Sequence, residues 1–98
     1  MENTSSTMKS DGQWTWDPAK AEANERKHGV AFEDAVLALE DPSALSEQDW
    51  HHDGDRWRTI GQAGPALLFV IHTFPNGASG RIISARAAKR PERKLYET

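Results

Sequence analysis

The chain has 98 residues, no cysteine and a formal net charge of −3, which leaves room for one small domain with a thin core and excludes disulfides and thiolate zinc sites. The longest apolar run, residues 66–71, is far too short to span a bilayer, and the polar N-terminus lacks the apolar stretch of a signal peptide, so a soluble, cytoplasmic protein is expected. Residues 1–55 carry thirteen acids and four bases, residues 56–98 two acids and eight bases, so a compact domain would turn a basic face toward a polyanion despite its overall sign.

In chain order, residues 1–13 are polar and without periodicity, and read as a disordered lead-in to a single domain over 14–98. Gln13 to Trp16 alternates as a short strand does. Asp17 followed by Pro18 is an N-cap with proline at the first helical position, which predicts a helix through AKAEANERKH that stops at Gly29. A second helix follows from Phe32 to about Glu40, with Phe32, Ala35, Val36 and Leu39 on one face, and Asp41 before Pro42 ends it.

Beyond Pro42 the period changes. SALSEQDW reads as a weak strand, HHDGD as a turn, and RWRTIG as a strand with Arg56, Arg58 and Ile60 on one face and Trp57 and Thr59 on the other. GQAGP is a further turn, ALLFVIHTF a central strand apolar on both faces, PNGASG a hairpin loop and RIISARA the returning strand. A last helix spans about Arg90 to Glu97, with Pro91 in its first turn and Glu92/Tyr96 and Arg93/Glu97 spaced as i, i+4. The expected fold class is α+β: two N-terminal helices, an antiparallel sheet of about four strands, and a C-terminal helix.

Several of these blocks, taken in order, resemble one known family. They are WD at Trp16 and Asp17, NERKHGVAFEDA from Asn24 to Ala35, DP at Asp41 and Pro42, RWRTIG from Arg56 to Gly61, and RIISARAAKRPERKLYE from Arg81 to Glu97. The chain looks like a BrnT toxin of a type II toxin–antitoxin pair over roughly residues 14–98. The resemblance implies a RelE-like fold, RNA cleavage that halts translation, and neutralisation by a BrnA-like ribbon-helix-helix antitoxin. Operator DNA would be engaged only through that antitoxin, and neither a membrane nor a cofactor is implied. One departure concerns Lys89, which stands where relatives often carry a serine or threonine cap, so the start of the last helix is weakly specified.

Cutting RNA without a metal requires a base for the 2′-hydroxyl, cations for the transition-state charge, and an acid for the leaving oxygen. Arg86, at the end of the SAR strand, is the candidate for transition-state stabilisation, since a guanidinium fork matches two phosphate oxygens; its structural alternative is a salt bridge to an acid of the first half. His28 is a candidate general acid or base and Lys27 a phosphate or oxyanion contact, or else both merely complement the helix C-terminus. Tyr96 would stack on a base or donate a proton, or else pack the last helix, while Glu92 would orient an arginine or simply occupy its favoured first turn. Arg56, Arg58, Arg81, Lys89, Arg90 and Arg93 are candidate RNA-phosphate contacts, with a solvated or antitoxin-facing position as the equal alternative for Arg56 and Arg58.

The remaining features are read as structural. His72 is a core histidine. His51, His52, Asp53 and Asp55 lack the spacing of a zinc site, so no metal is expected. The four tryptophans, Trp14, Trp16, Trp50 and Trp57, serve core or interface anchoring before RNA stacking. The competing function is a non-catalytic module that pairs with a ribbon-helix-helix repressor.

Overall fold

The structure, a computed structural model, describes residues 9–11, 13–50, 55–75 and 79–98. Asp17 has extended backbone angles and its carboxylate accepts the Ala19 N–H at 2.9 Å, so helix α1 (Pro18–His28) begins where its cap signal lies. It ends at Gly29, whose φ of 72° is left-handed and whose N–H donates to the Glu25 carbonyl at 2.8 Å. Helix α2 (Phe32–Leu39) buries Phe32, Ala35, Val36 and Ala38, leaving Leu39 half-buried at the edge of the expected stripe.

The four strands that follow form an antiparallel meander: β3 (Leu45–Asp49), β4 (Arg56–Ala63), β5 (Ala66–Thr73) and β6 (Gly80–Ala87). Two short strands extend the expected sheet of about four. Strand β2 (Trp14–Trp16) pairs with β6 in parallel, and β1 (Lys9–Asp11) pairs antiparallel with β2, giving the order β1-β2-β6-β5-β4-β3. Residues 9–11 of the presumed lead-in are thus in the sheet. The parallel pairing has a packing reason: the Trp14 ring lies where a Cβ at Gly80 would stand, so the strand junction needs a residue without a side chain.

Strand β4 runs on to Ala63, which shortens the expected GQAGP turn to the link before Ala66. The hairpin residues 76–78 and residues 51–54 of the HHDGD turn lie outside the described residues. Helix α3 (Arg90–Glu97) follows β6 after two residues.

Alternation splits the meander into two faces. Thr59, Ala63, Leu68, Val70, His72, Ile82 and Ala85 are buried toward α1 and α2, where Trp14, Trp16, Phe32, Ala35, Val36 and Ala38 complete the main core. The opposite face carries a smaller cluster of Ile60, Leu67 and Ala88, with Phe69 and Tyr96 packed against it, and α3 lies there. Asn24 closes the β6 edge beyond the two residues that β2 pairs: its Nδ2 donates to the carbonyls of Val30 (3.0 Å) and Ala85 (2.8 Å), and its Oδ1 accepts the Ala85 N–H at 3.1 Å. A strand edge that would otherwise solicit another chain is thereby satisfied from within.

Candidate functional site

Strand register sets three side-chain rows on the face away from α2. Leu45, Ile60, Phe69 and Arg86 stand in one row, Glu47, Arg58, Ile71 and Ser84 in the next, and Asp49, Arg56, Thr73 and Arg81 in the third. A shift in register at Ile71/His72 leaves Ile83 unpaired, and this extra residue is what keeps Arg81 on the same face as Ser84 and Arg86. Four arginines from two strands therefore share one surface. Two of them face acids directly across β3 and β4; Arg58 forms an ion pair with Glu47, and Arg56 stands opposite Asp49.

Arg86 is the most constrained of the four. Its Nη1 and Nη2 donate to Glu92 Oε1 (2.9 Å) and Oε2 (2.8 Å), Nη1 also reaches the Ala87 carbonyl at 3.1 Å, and the guanidinium lies 4.2 Å from the centroid of the Phe69 ring. The two side chains are 26% and 19% exposed, so the pair is held yet reachable. A fork fixed in this way has little rotamer freedom left to lose when it meets an anion. The salt bridge foreseen as the structural alternative is real, but its acid comes from α3 instead of the acidic first half.

Glu92 serves two purposes. Besides holding Arg86, its Oε1 accepts the Lys89 N–H at 2.7 Å, the returning half of a capping box. The Lys89 ammonium has no lone pair with which to complete the box, so Glu92 compensates for the missing hydroxyl cap. Arg86 holds the Glu92 carboxyl below its ordinary range, with burial working against it and the Lys89 N–H and the two nearby cations assisting. Glu92 is consequently ionised when the guanidinium needs it.

Tyr96, one turn beyond Glu92, donates its hydroxyl proton to Asp41 Oδ2 at 2.6 Å. Asp41 also accepts the Gln62 N–H through Oδ2 (2.8 Å) and the Ser43 N–H through Oδ1 (2.9 Å). Three donors, led by the Tyr96 hydroxyl, lower the Asp41 pKa, and the same bond raises that of Tyr96. The phenol is therefore neutral, with its proton committed to Asp41.

Between α3 and the β3–β4 hairpin lies a cavity of about 440 Å³ beside Arg86. Ile60 and Phe69 are among its apolar lining, with Leu45 and Leu95, and Glu47, Arg58 and Glu92 supply its charge. Leu45 and Leu95 are 44% and 62% exposed, so both offer apolar surface at the rim of this cavity.

Other expected residues fall elsewhere. His28 and Lys27 are exposed at the end of α1, a helix whose Ala21 packs into the opposite-face core, and among the described residues neither makes a hydrogen bond or ion pair with Arg86. Lys89, Arg90 and Arg93 are exposed at the start and outer side of α3. Trp14 and Trp16 are core residues, Trp57 is half-buried, and Trp50 is 72% exposed. His72 is buried, as foreseen; Nε2 sits 2.8 Å from the Thr59 hydroxyl, while Nδ1 has no hydrogen-bond partner among the described residues.

Sequence reading passed over Asp41, which it took for a helix stop, and Phe69, which it took for strand filling. It also passed over Asn24, although a polar residue on a helix whose apolar face is only alanine was a usable signal.

Among curated proteins none matches. The crystal structure of the Brucella abortus ribonuclease toxin, BrnT, is similar with a TM-score of 0.62 and 28% identity, covering 76% of this chain and 94% of that one. The family described as "Ribonuclease toxin, BrnT, of type II toxin-antitoxin system" matches residues 16–92, which include α1, α2, all four meander strands and Glu92. The chain belongs to the BrnT family of type II toxin–antitoxin ribonuclease toxins.

Proposed function

We propose that this chain is an endoribonuclease that cuts RNA without a metal and stops translation in the cytoplasm until a BrnA-like ribbon-helix-helix antitoxin covers its basic face. Operator DNA would be met only through that antitoxin. The observation that carries the reading is Arg86, held over Phe69 by a two-point bond to Glu92 on a surface shared with Arg56, Arg58 and Arg81.

Electrostatic preorganisation is what this surface supplies. Arg86 keeps Nε–H and an outer Nη2–H beyond its Glu92 and Ala87 contacts, and these would meet the charge that grows on the phosphate as the 2′-oxygen attacks. Glu92 lowers the net charge at the site, but it prevents the fork from swinging away. Arg56 and Arg81 would position the flanking phosphates and Arg58 would add an RNA contact at the cavity beside Arg86, with Lys89, Arg90 and Arg93 extending the track along α3. Tyr96, whose proton is spent on Asp41, is assigned to anchoring α3, and His28 and Lys27 to the C-terminal dipole of α1.

The test is cleavage of a defined single-stranded RNA in excess EDTA by the wild type and by Arg86→Lys, Arg86→Ala and His28→Ala, each checked for folding. Losing one transition-state donor costs about a hundredfold or more, so both Arg86 variants should fall that far while His28→Ala stays well within tenfold. A positioned general acid or base is worth roughly 10²–10⁴, and a loss of that size in His28→Ala would return the imidazole to the chemistry. Intact RNA together with unimpaired growth of cells expressing the chain alone would leave a module that only pairs with a repressor.

A further inference from the structure

The cavity beside Arg86 has more structure than a phosphate track requires. Its floor is the flat, apolar pair Ile60 and Phe69, the exposed Leu95 stands over it from α3, and Glu47 and Arg58 close one side as an ion pair. Phe69 lies under the Arg86 guanidinium and also lines the cavity, and Glu92 both grips that guanidinium and lines the cavity. A phosphate at Arg86 would therefore have one of its own nucleosides at the mouth of this hollow. Its volume of about 440 Å³ accommodates a base with part of its ribose and excludes nothing on size alone, so the polar groups must do the selecting.

We infer that this cavity is a base-recognition subsite, and that the Glu47–Arg58 pair selects guanine in the nucleotide whose phosphate lies against Arg86. The inference rests on the ribonuclease reading above and adds its specificity. Single-stranded RNA is read by stacking splayed bases on apolar or aromatic surfaces and bonding their Watson–Crick edges. Guanine presents O6 as an acceptor beside two adjacent donors, N1–H and N2–H. A carboxylate with lone pairs to spare next to a guanidinium offers the complement of that edge in the same order.

The spare capacity is present. Glu47 is 65% exposed and has an oxygen beyond the one that meets Arg58, and Arg58 spends one Nη on Glu47. Adenine would use one donor and one acceptor of the pair. Uracil would set an acceptor against the carboxylate. Cytosine would ask two donors of a guanidinium already engaged. Leu95 then has a reason to be exposed, since it forms the second wall against the base.

The direct test separates binding from cleavage. Titrating the four nucleoside monophosphates into the wild type, with amide chemical shifts of β3, β4 and α3 as the readout, should show GMP bound about tenfold or more tightly than the other three, as expected for a good two-point base contact. Glu47→Gln should abolish that preference, and Leu95→Ala should weaken all four nucleotides alike; both positions are exposed enough for the fold to survive. Cleavage mapping of an RNA of mixed sequence should then show cuts beside G in the wild type and scattered cuts in Glu47→Gln. Equal binding of all four nucleotides, or a guanine preference that outlives Glu47→Gln, overturns the subsite. GMP selectivity with intact RNA and unimpaired growth of cells expressing the chain would support the subsite while sinking the ribonuclease reading.

Discussion

His72 meets the Thr59 hydroxyl at 2.8 Å, and Thr59 meets Ser46 at 2.7 Å, so a polar chain runs through the helix-covered face from β5 to β3. Burial pushes the imidazole pKa from 6.5 down to about 4, which means that the folded protein holds His72 neutral while the unfolded chain gains a proton below 6.5. Stability from this group is complete above that value, is lost as pH falls toward about 4, and falls no further below it. The interval corresponds to about 3 kcal/mol. His72→Gln keeps a partner for Thr59 without titrating, so denaturant unfolding at about pH 7 and about pH 4 should show the wild type losing more stability than the variant; equal losses would mean that His72 is not the sensor. Gly61 makes a different demand at the same scale. A Cβ there would stand 2.0 Å from the Ala38 carbonyl oxygen, and backbone cannot swing aside as a side chain can. Gly61→Ala should therefore cost about 1–3 kcal/mol by forcing α2 off the sheet, read as a lower urea midpoint with an unchanged slope.

Helix α3 has no buried residue, so its position depends on polar contacts more than on apolar packing. Glu92 ties its first turn to Arg86, and Tyr96 ties its last to Asp41, whose carboxylate also holds the Gln62 and Ser43 amides. Tyr96→Phe removes one of the two ties while keeping the ring in place. Amide exchange in α3 should then quicken while the central strands β4 and β5 keep their protection; uniform exchange across the chain would show that α3 is held by something other than these bonds. The same helix marks the limit of what sequence discloses about elements. The boundaries of α1 were legible because a cap is local: Asp17, Pro18 and Gly29 act within one turn. The docking of α3 was not, because Asp41 lies 55 residues away from Tyr96, and no local pattern joins an Asp-Pro helix stop to a tyrosine near the C-terminus. Strand β2 was seen as a strand, yet its parallel partner was invisible for the same reason.

At the scale of the whole molecule, the uneven charge of the two halves led to the expectation of a basic surface, but composition could not say how much of it is neutralised at home. Strand register decides that. The acids of β3 stand in the arginine rows, with Glu47 beside Arg58 and Asp49 beside Arg56, and α3 returns Glu92 to Arg86. Arg81 stands opposite Thr73 and is exposed, so it should meet RNA more freely than its neighbours. Each cation that neutralises a single-strand phosphate releases a counterion and contributes about 0.7 to the slope of log affinity against log salt. Fluorescence anisotropy of a labelled single-stranded RNA, from about 50 to about 200 mM salt, gives that slope directly, and Arg86→Lys as the common background slows cleavage during the titration. Arg81→Ala should lower the slope by about 0.7, whereas Arg56→Ala should lower it less because Asp49 already stands across from that guanidinium. Lys20→Ala, on exposed α1, should leave it unchanged. A drop for Lys20 equal to that for Arg81 would place the RNA on the helical layer and remove the open sheet face from the mechanism.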